Sequence, residues 1–141
     1  MPMTSMVGPV ETLAKLLADA TRVDEKIHDV TSALSLINTL RGMALDPRSG
    51  SPWLGGTTGG VSGPAVRAIA LAQVHAVSQA TTIPLIGMGG VQSGRDALDL
   101  LRAGADLVAV GTESFRDPAA GSRIAAELDT LLQTTDAHVC M

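Results

Sequence analysis

The feature that most restricts this chain is a pair of short apolar runs, each ending on a glycine turn and separated by one helix-like stretch. Ile83-Pro84-Leu85-Ile86-Gly87-Met88 runs into Gly89-Gly90, and Leu107-Val108-Ala109-Val110 runs into Gly111-Thr112. Neither run alternates apolar with polar residues, so each reads as a strand covered on both faces, as in a parallel sheet. Pro84 stands near the start of its run, where a missing N–H is tolerated. Between the runs, Ser93 is placed to cap a helix from Gly94 to Ala103, and Gly104 is placed to end it. Asp117-Pro118 makes a cap and first-turn pair for a further helix ending near Leu132. Upstream, Gly63-Pro64 opens a helix in which Val66, Ile69, Ala70, Gln73, Val74 and Val77 recur at helical spacing. A shorter run, Leu34-Ser35-Leu36-Ile37, closes on Asn38-Thr39. Strand, loop, helix, strand, helix, strand, helix is βαβ grammar. It predicts an α/β fold with a parallel sheet, its right-handed crossovers placing the helices on the outer face.

Three strands do not close a barrel. A complete (β/α)8 barrel takes about 250 residues, and this chain has 141. The expectation is a partial sheet with two open edges, which favours self-association or a place in something larger. Residues 1–33 read differently. Leu16, Ala20, Val23, Ile27, Val30 and Leu34 form a heptad-like apolar stripe, with Glu11, Lys15, Asp19, Asp24, Glu25 and Lys26 largely off it. One amphipathic helix from Pro9 to Asp29 follows, packed on the domain's own body or on a partner helix. The chain thus divides into a divergent helical segment (1–33), a partial α/β body (34–133) and a tail (134–141).

Composition narrows the function. Ten Lys+Arg against 14 Asp+Glu give a net charge of −4, without the basic stripe that nucleic-acid binding needs. One Trp, one Phe and no Tyr leave no stacking platform for bases. The lone Cys140 excludes an internal disulfide and any multi-cysteine metal site within the chain. His28, His75 and His138 have no carboxylate or cysteine at ligand spacing, so no metal site is expected. No run reaches the roughly 18 apolar residues of a membrane span, and the N-terminus lacks a secretory pattern. A cytoplasmic chain without membrane or nucleic-acid partners is the expectation.

The two glycine turns carry the clearest chemistry. Each ends a parallel strand, one βα unit apart, where α/β folds bind ligands. Without Cβ atoms, Gly89, Gly90 and Gly111 let backbone N–H groups approach a phosphate, the following helix N-terminus adds partial positive charge, and Thr112 offers a hydroxyl. The plainer reading is that these glycines only permit tight strand-to-helix turns. A dinucleotide fingerprint fails, because Gln92 stands where the last glycine of G-x-G-x-x-G would be and Asp106 precedes its strand. The Asn38 carboxamide offers a donor and an acceptor to a ring amide, although Asn-Thr is also ordinary turn chemistry. The Gly-rich stretch 55–63 is a flexible loop able to wrap a ligand, or a linker.

The segments LSLINTLRGMALD (34–46), TTGGVSGPAVRAIAL (57–71), IPLIGMGGVQSGRDALDLLRAGA (83–105) and LVAVGTESF (107–115) are together similar to the C-terminal part of dihydroorotate dehydrogenases, nearest the class 1B, NAD-linked type. Dihydropyrimidine dehydrogenases share much of the pattern. The resemblance implies an FMN-dependent (β/α)8 barrel, of which this chain holds about three βα units, oxidising dihydroorotate to orotate in pyrimidine biosynthesis. By position it assigns Asn38 and Thr39 to substrate, Ile37 and Gly63 to the flavin's surroundings, and Gly89, Gly90, Gly111 and Thr112 to the FMN phosphate. The family's cysteine base and its strand-borne lysine lie upstream of the matched segments and have no counterpart here, so no catalytic residue is assigned. The implied partners are the remaining half-barrel, a second copy of the chain and an electron-transfer subunit. Two other readings stand beside this one: a non-catalytic fragment docking through its helical stripe and sheet edges, and part of another FMN-dependent pyrimidine dehydrogenase.

Overall fold

The computed structural model describes residues 32–137, so the helix expected over Pro9–Asp29, most of its stripe, His28, His138 and Cys140 lie outside the described residues. Three parallel strands form the sheet: β1 (Leu34–Leu36), β4 (Leu85–Met88) and β5 (Leu107–Ala109), in the order β1-β4-β5. Register pairs Ser35 with Ile86 and Ile86 with Leu107. The ladder continues past β1 at both ends, where Leu34 N–H donates to the Pro84 carbonyl at 2.8 Å and Ile37 N–H to the Met88 carbonyl at 3.0 Å. Asp106 joins the strand entrances by accepting from Leu85 N–H through its carboxylate (2.8 Å) and donating its own N–H to the Leu85 carbonyl (2.9 Å).

Between β1 and the first helix the chain makes an antiparallel hairpin of β2 (Leu40–Gly42) and β3 (Gly59–Val61). The stretch 55–63 is therefore not a free loop, since residues 59–61 of it are a strand. A 3₁₀ turn, Pro64–Val66, leads into α1 (Arg67–Ser78), followed by α2 (Gly94–Arg102), the short α3 (Glu113–Arg116) and α4 (Ala120–Ala137). Pro64 falls at the start of the 3₁₀ turn, as its fixed φ favours. Ser93 caps α2 in a capping box: its hydroxyl accepts from Asp96 N–H, and the Asp96 carboxylate accepts from Ser93 N–H at 3.0 Å. The helix ends in a Schellman turn, with Gly104 N–H to the Leu101 carbonyl (3.0 Å) and Ala105 N–H to the Leu100 carbonyl (3.1 Å), and Gly104 at φ 111°. Asp117-Pro118 makes a turn before α4 rather than its first residues: Asp117 accepts from Ala119 N–H at 2.9 Å, and the helix proper starts at Ala120.

The helices cover one face of the sheet only. Val74, Val91, Ala97, Leu100, Ala105, Ala120 and Ile124 form the main core, with Leu36 and Val108 packed against it. A satellite core joins Ile37, Val66 and Ala70. On the opposite face Ile86 and Met88 are half-buried and Leu107 is 63% exposed. The expectation of strands covered on both faces is corrected here. In this parallel sheet α1 and α2 supply a cover on one side, and no described element supplies one on the other. Among the described residues no helix is long and apolar enough to cross a membrane.

Candidate functional site

Parallel strands bring their C-terminal ends to one side, so the residues that follow β1, β4 and β5 meet there. They enclose a cavity of about 430 Å3, with β3 and the 3₁₀ turn as a further wall. All eight residues singled out from the sequence line it: Ile37, Asn38 and Thr39 after β1, Gly63 before the 3₁₀ turn, Gly89 and Gly90 after β4, and Gly111 and Thr112 after β5. Much of the remaining lining is apolar, from Val61, Val66, Met88, Ala109 and Val110. The Asn38 carboxamide oxygen accepts from the N–H of the next residue, Thr39, at 2.7 Å, which leaves its NH2 group unused.

The two glycine turns differ in kind. Gly90 has φ 75°, and a Cβ on it would stand 2.8 Å from Arg67 Cβ and 2.9 Å from the Gly63 carbonyl oxygen. Gly89 is similarly hemmed by Ala70 Cβ at 2.9 Å. Close packing alone thus requires both glycines. Gly111 is not hemmed at all: a Cβ there meets nothing within 4 Å, and its φ lies outside the left-handed region. Among the described residues, no acceptor takes the N–H of Gly89, Gly90, Val91, Gly111 or Thr112. These five backbone donors belong to residues lining one cavity. Such a set can hold an anion without a basic side chain.

The α2 N-terminus does not contribute as expected. Gln92 N–H and Ser93 N–H both go to the Asp96 carboxylate at 3.0 Å, and Gly94 N–H goes to Glu127 Oε2 at 2.7 Å. A Cβ on Gly94 would lie 2.5 Å from Glu127 Cβ, so the missing side chain is what lets α4 bring that carboxylate in. The positive end of α2 is already neutralised by two carboxylates, which leaves the turn amides as donors.

Sequence reasoning missed a polar group at the rim. Gln92, Glu113 and Arg116 also line the cavity. Glu113 is 7% exposed, accepting from Gln92 Nε2 at 3.0 Å and from Arg116 at 2.9 Å, with Arg123 at 3.7 Å. Arg123 reaches from α4 to the Gln92 carbonyl (3.2 Å), Asp117 (3.0 Å) and Glu127 (2.9 Å). The hydrogen bond from Gln92, followed by Arg116 and Arg123, holds the Glu113 carboxyl below its ordinary range. Asp117 is lowered chiefly by Arg123, and Glu127 by the Gly94 amide and then Arg123. In the sequence only Gln92 and Glu113 carry a signal, their nearness to the glycine turns; Arg116 and Arg123 carry none. His75 is exposed on α1, away from the cavity, and no group of three His, Cys, Asp or Glu among the described residues stands close enough to hold a metal.

A family model described as dihydroorotate dehydrogenase matches residues 9–132, so the likeness begins well before Leu34. The catalytic subunit of dihydroorotate dehydrogenase B (NAD(+)) from Geobacter metallireducens is 57% identical over 100 residues, covering 71% of this chain and 33% of that protein. The catalytic subunit of the same name from Citrifermentans bemidjiense is 48% identical over 126 residues, covering 89% of this chain and 38% of its own length. That from a Geobacillus species is 43% identical over 130 residues, with 89% and 42% covered. A crystal structure of DHODH from Eimeria tenella in complex with ferulenol superposes with a TM-score of 0.67 at 27% identity, covering 88% of this chain and 32% of that one. The chain therefore spans 33–42% of the length of these curated relatives. With the model match running through nearly all of the sequence, the chain belongs to the dihydroorotate dehydrogenase family.

Proposed function

We propose that residues 34–132 form the phosphate-holding and substrate-contacting portion of an FMN-dependent dihydroorotate dehydrogenase barrel of the NAD-linked type. The observation that carries this reading is that five residues with unpaired backbone N–H groups, from two separate turns, line the same cavity as Asn38 and Thr39. The fit to a phosphorylated flavin is chemical. Gly89, Gly90, Gly111 and Thr112 offer donors to the phosphate at the loops where barrels of this kind hold one. Ile37 and Gly63 border the space for the ring system, whose apolar body suits the Val66, Met88 and Val110 lining. When bound, FMN supplies the hydride acceptor for dihydroorotate oxidation. The free NH2 of Asn38 and the Thr39 hydroxyl are the groups that orient the substrate ring. No cysteine or lysine is among the described residues that line the cavity, so the cysteine base and the strand lysine are groups that the rest of a barrel would supply. The relatives are named as catalytic subunits, which supports a second, electron-transferring partner in a cytoplasmic assembly.

Titrating the 141-residue chain into FMN and following flavin fluorescence tests this. Binding of FMN in preference to riboflavin, with no orotate formed from dihydroorotate, is the expected outcome. Failure to bind FMN, or robust turnover by the chain alone, refutes the proposal. The two sheet edges, at β1 and β5, are unpaired among the described residues and favour one other reading, a non-catalytic fragment that docks on a partner. A colourless chain that binds no flavin supports it.

A further inference from the structure

We propose that the Gln92–Glu113 hydrogen bond is a clasp that sets the spacing of the two glycine turns, making Gln92 and Glu113 positioning residues for phosphate recognition. Gln92 lies two residues beyond Gly90, and Glu113 directly follows Thr112. Their side chains meet at 3.0 Å across the gap between the β4 and β5 loops. Because backbone donors hold an anion only when aimed together, the distance between the turns decides how well five amides act as one site. No ladder bond fixes that distance, since the β4–β5 pairing stops at Met88 and Ala109.

The clasp is built to be rigid. Glu113 is the one charged residue buried among those described, and burial of a carboxylate is tolerated only with partners. Arg116 and Arg123 provide them, at 2.9 and 3.7 Å. Arg123 also donates to the Gln92 carbonyl at 3.2 Å, so a single guanidinium on α4 touches both loops. Asp117 and Glu127 fix that guanidinium in turn, at 3.0 and 2.9 Å. The amides of Gln92 and Ser93 are spent on Asp96, which separates the clasped residues from the free donors of the turn.

This inference rests on the phosphate reading of the turns, and the test separates the two. FMN and riboflavin differ only in the phosphate, so the ratio of their dissociation constants reads the cradle alone. In the 141-residue chain the ratio favours FMN. In Gln92→Ala and Glu113→Ala it falls by about tenfold, the effect of losing a hydrogen bond to a charged group, while riboflavin binding moves little and both variants keep a cooperative thermal transition. Glu113→Gln, whose amide oxygen still accepts from Gln92, recovers most of the preference. An unchanged ratio in both alanine variants overturns the clasp and leaves the phosphate reading standing. Equal loss of both flavins overturns it as well, because the pair is then simply structural. A parent chain that binds FMN and riboflavin alike defeats the phosphate reading, and the clasp with it.

Discussion

Alanine at Gly111 and alanine at Gly90 should part company, and the contrast tests whether the turns are ligand-binding devices or only tight corners. At Gly90 an added methyl meets Arg67 Cβ at 2.8 Å and the Gly63 oxygen at 2.9 Å, on a backbone with φ 75°. The left-handed conformation costs a residue with a Cβ about 1–2 kcal/mol, and overpacking against backbone adds about 1–3 kcal/mol. A loss of roughly 2–5 kcal/mol in a domain of this size lowers the melting temperature by on the order of 10 °C or more. At Gly111 the methyl meets nothing within 4 Å. Folding is then unaffected or improved by about 0.4–1 kcal/mol, because alanine restricts the unfolded chain. The methyl does project beside two of the free amides, and displacing a phosphate from one charge-assisted hydrogen bond costs about 1.5–3 kcal/mol. The expected result is Gly111→Ala with an intact thermal transition by circular dichroism and FMN affinity weakened by about tenfold to a hundredfold. Wild-type FMN affinity in well-folded Gly111→Ala would refute the reasoning.

Two further outcomes follow from the packing and the charges. Leu100 is 1% exposed at the centre of the main core, so Leu100→Ala should cost about 2–5 kcal/mol in urea denaturation; a loss under about 1 kcal/mol would mean that the core collapses around the gap. Glu113, Asp117 and Glu127 are all lowered from their ordinary values of 4.5, 3.8 and 4.5, so their contribution to stability is complete above that range and is lost as pH falls through the lowered values. Melting temperature should therefore hold steady down to about pH 5 and fall below about pH 4, with a shallower fall in Arg123→Gln, whose carboxylate partners titrate nearer their ordinary values.

The sheet and its helices were legible because their signals are local. The capping box at Ser93, the Schellman turn at Gly104 and the apolar face of α1 are each written within a dozen residues, and β4 and β5 run into the turns that Gly89-Gly90 and Gly111 announce. The β2–β3 hairpin was not legible. Leu40-Arg41-Gly42 and Gly59-Gly60-Val61 have no alternation, and the pairing partner of each lies beyond a long intervening loop. The open face of the sheet was missed for a related reason: an apolar run records that a face is to be covered, not what covers it. Seven of the eight candidate residues follow the parallel strands, whose order decides which loops meet, so their place around one cavity was readable; Gly63 follows the hairpin. The places of Gln92, Glu113 and Arg123 were not, because their bonds join loops and helices whose approach only the folded chain sets.

The seating of Glu127 on Gly94 has a consequence for how a ligand arrives. With that carboxylate and Asp96 neutralising the α2 terminus, and Arg116 paired to Glu113, the mouth of the cavity exerts little long-range pull on an anion. Capture then depends on collision in the right orientation rather than on electrostatic guidance, and selectivity comes from short-range fit. On the proposed phosphate reading, such a mouth would admit a phosphorylated molecule with little regard to ionic strength.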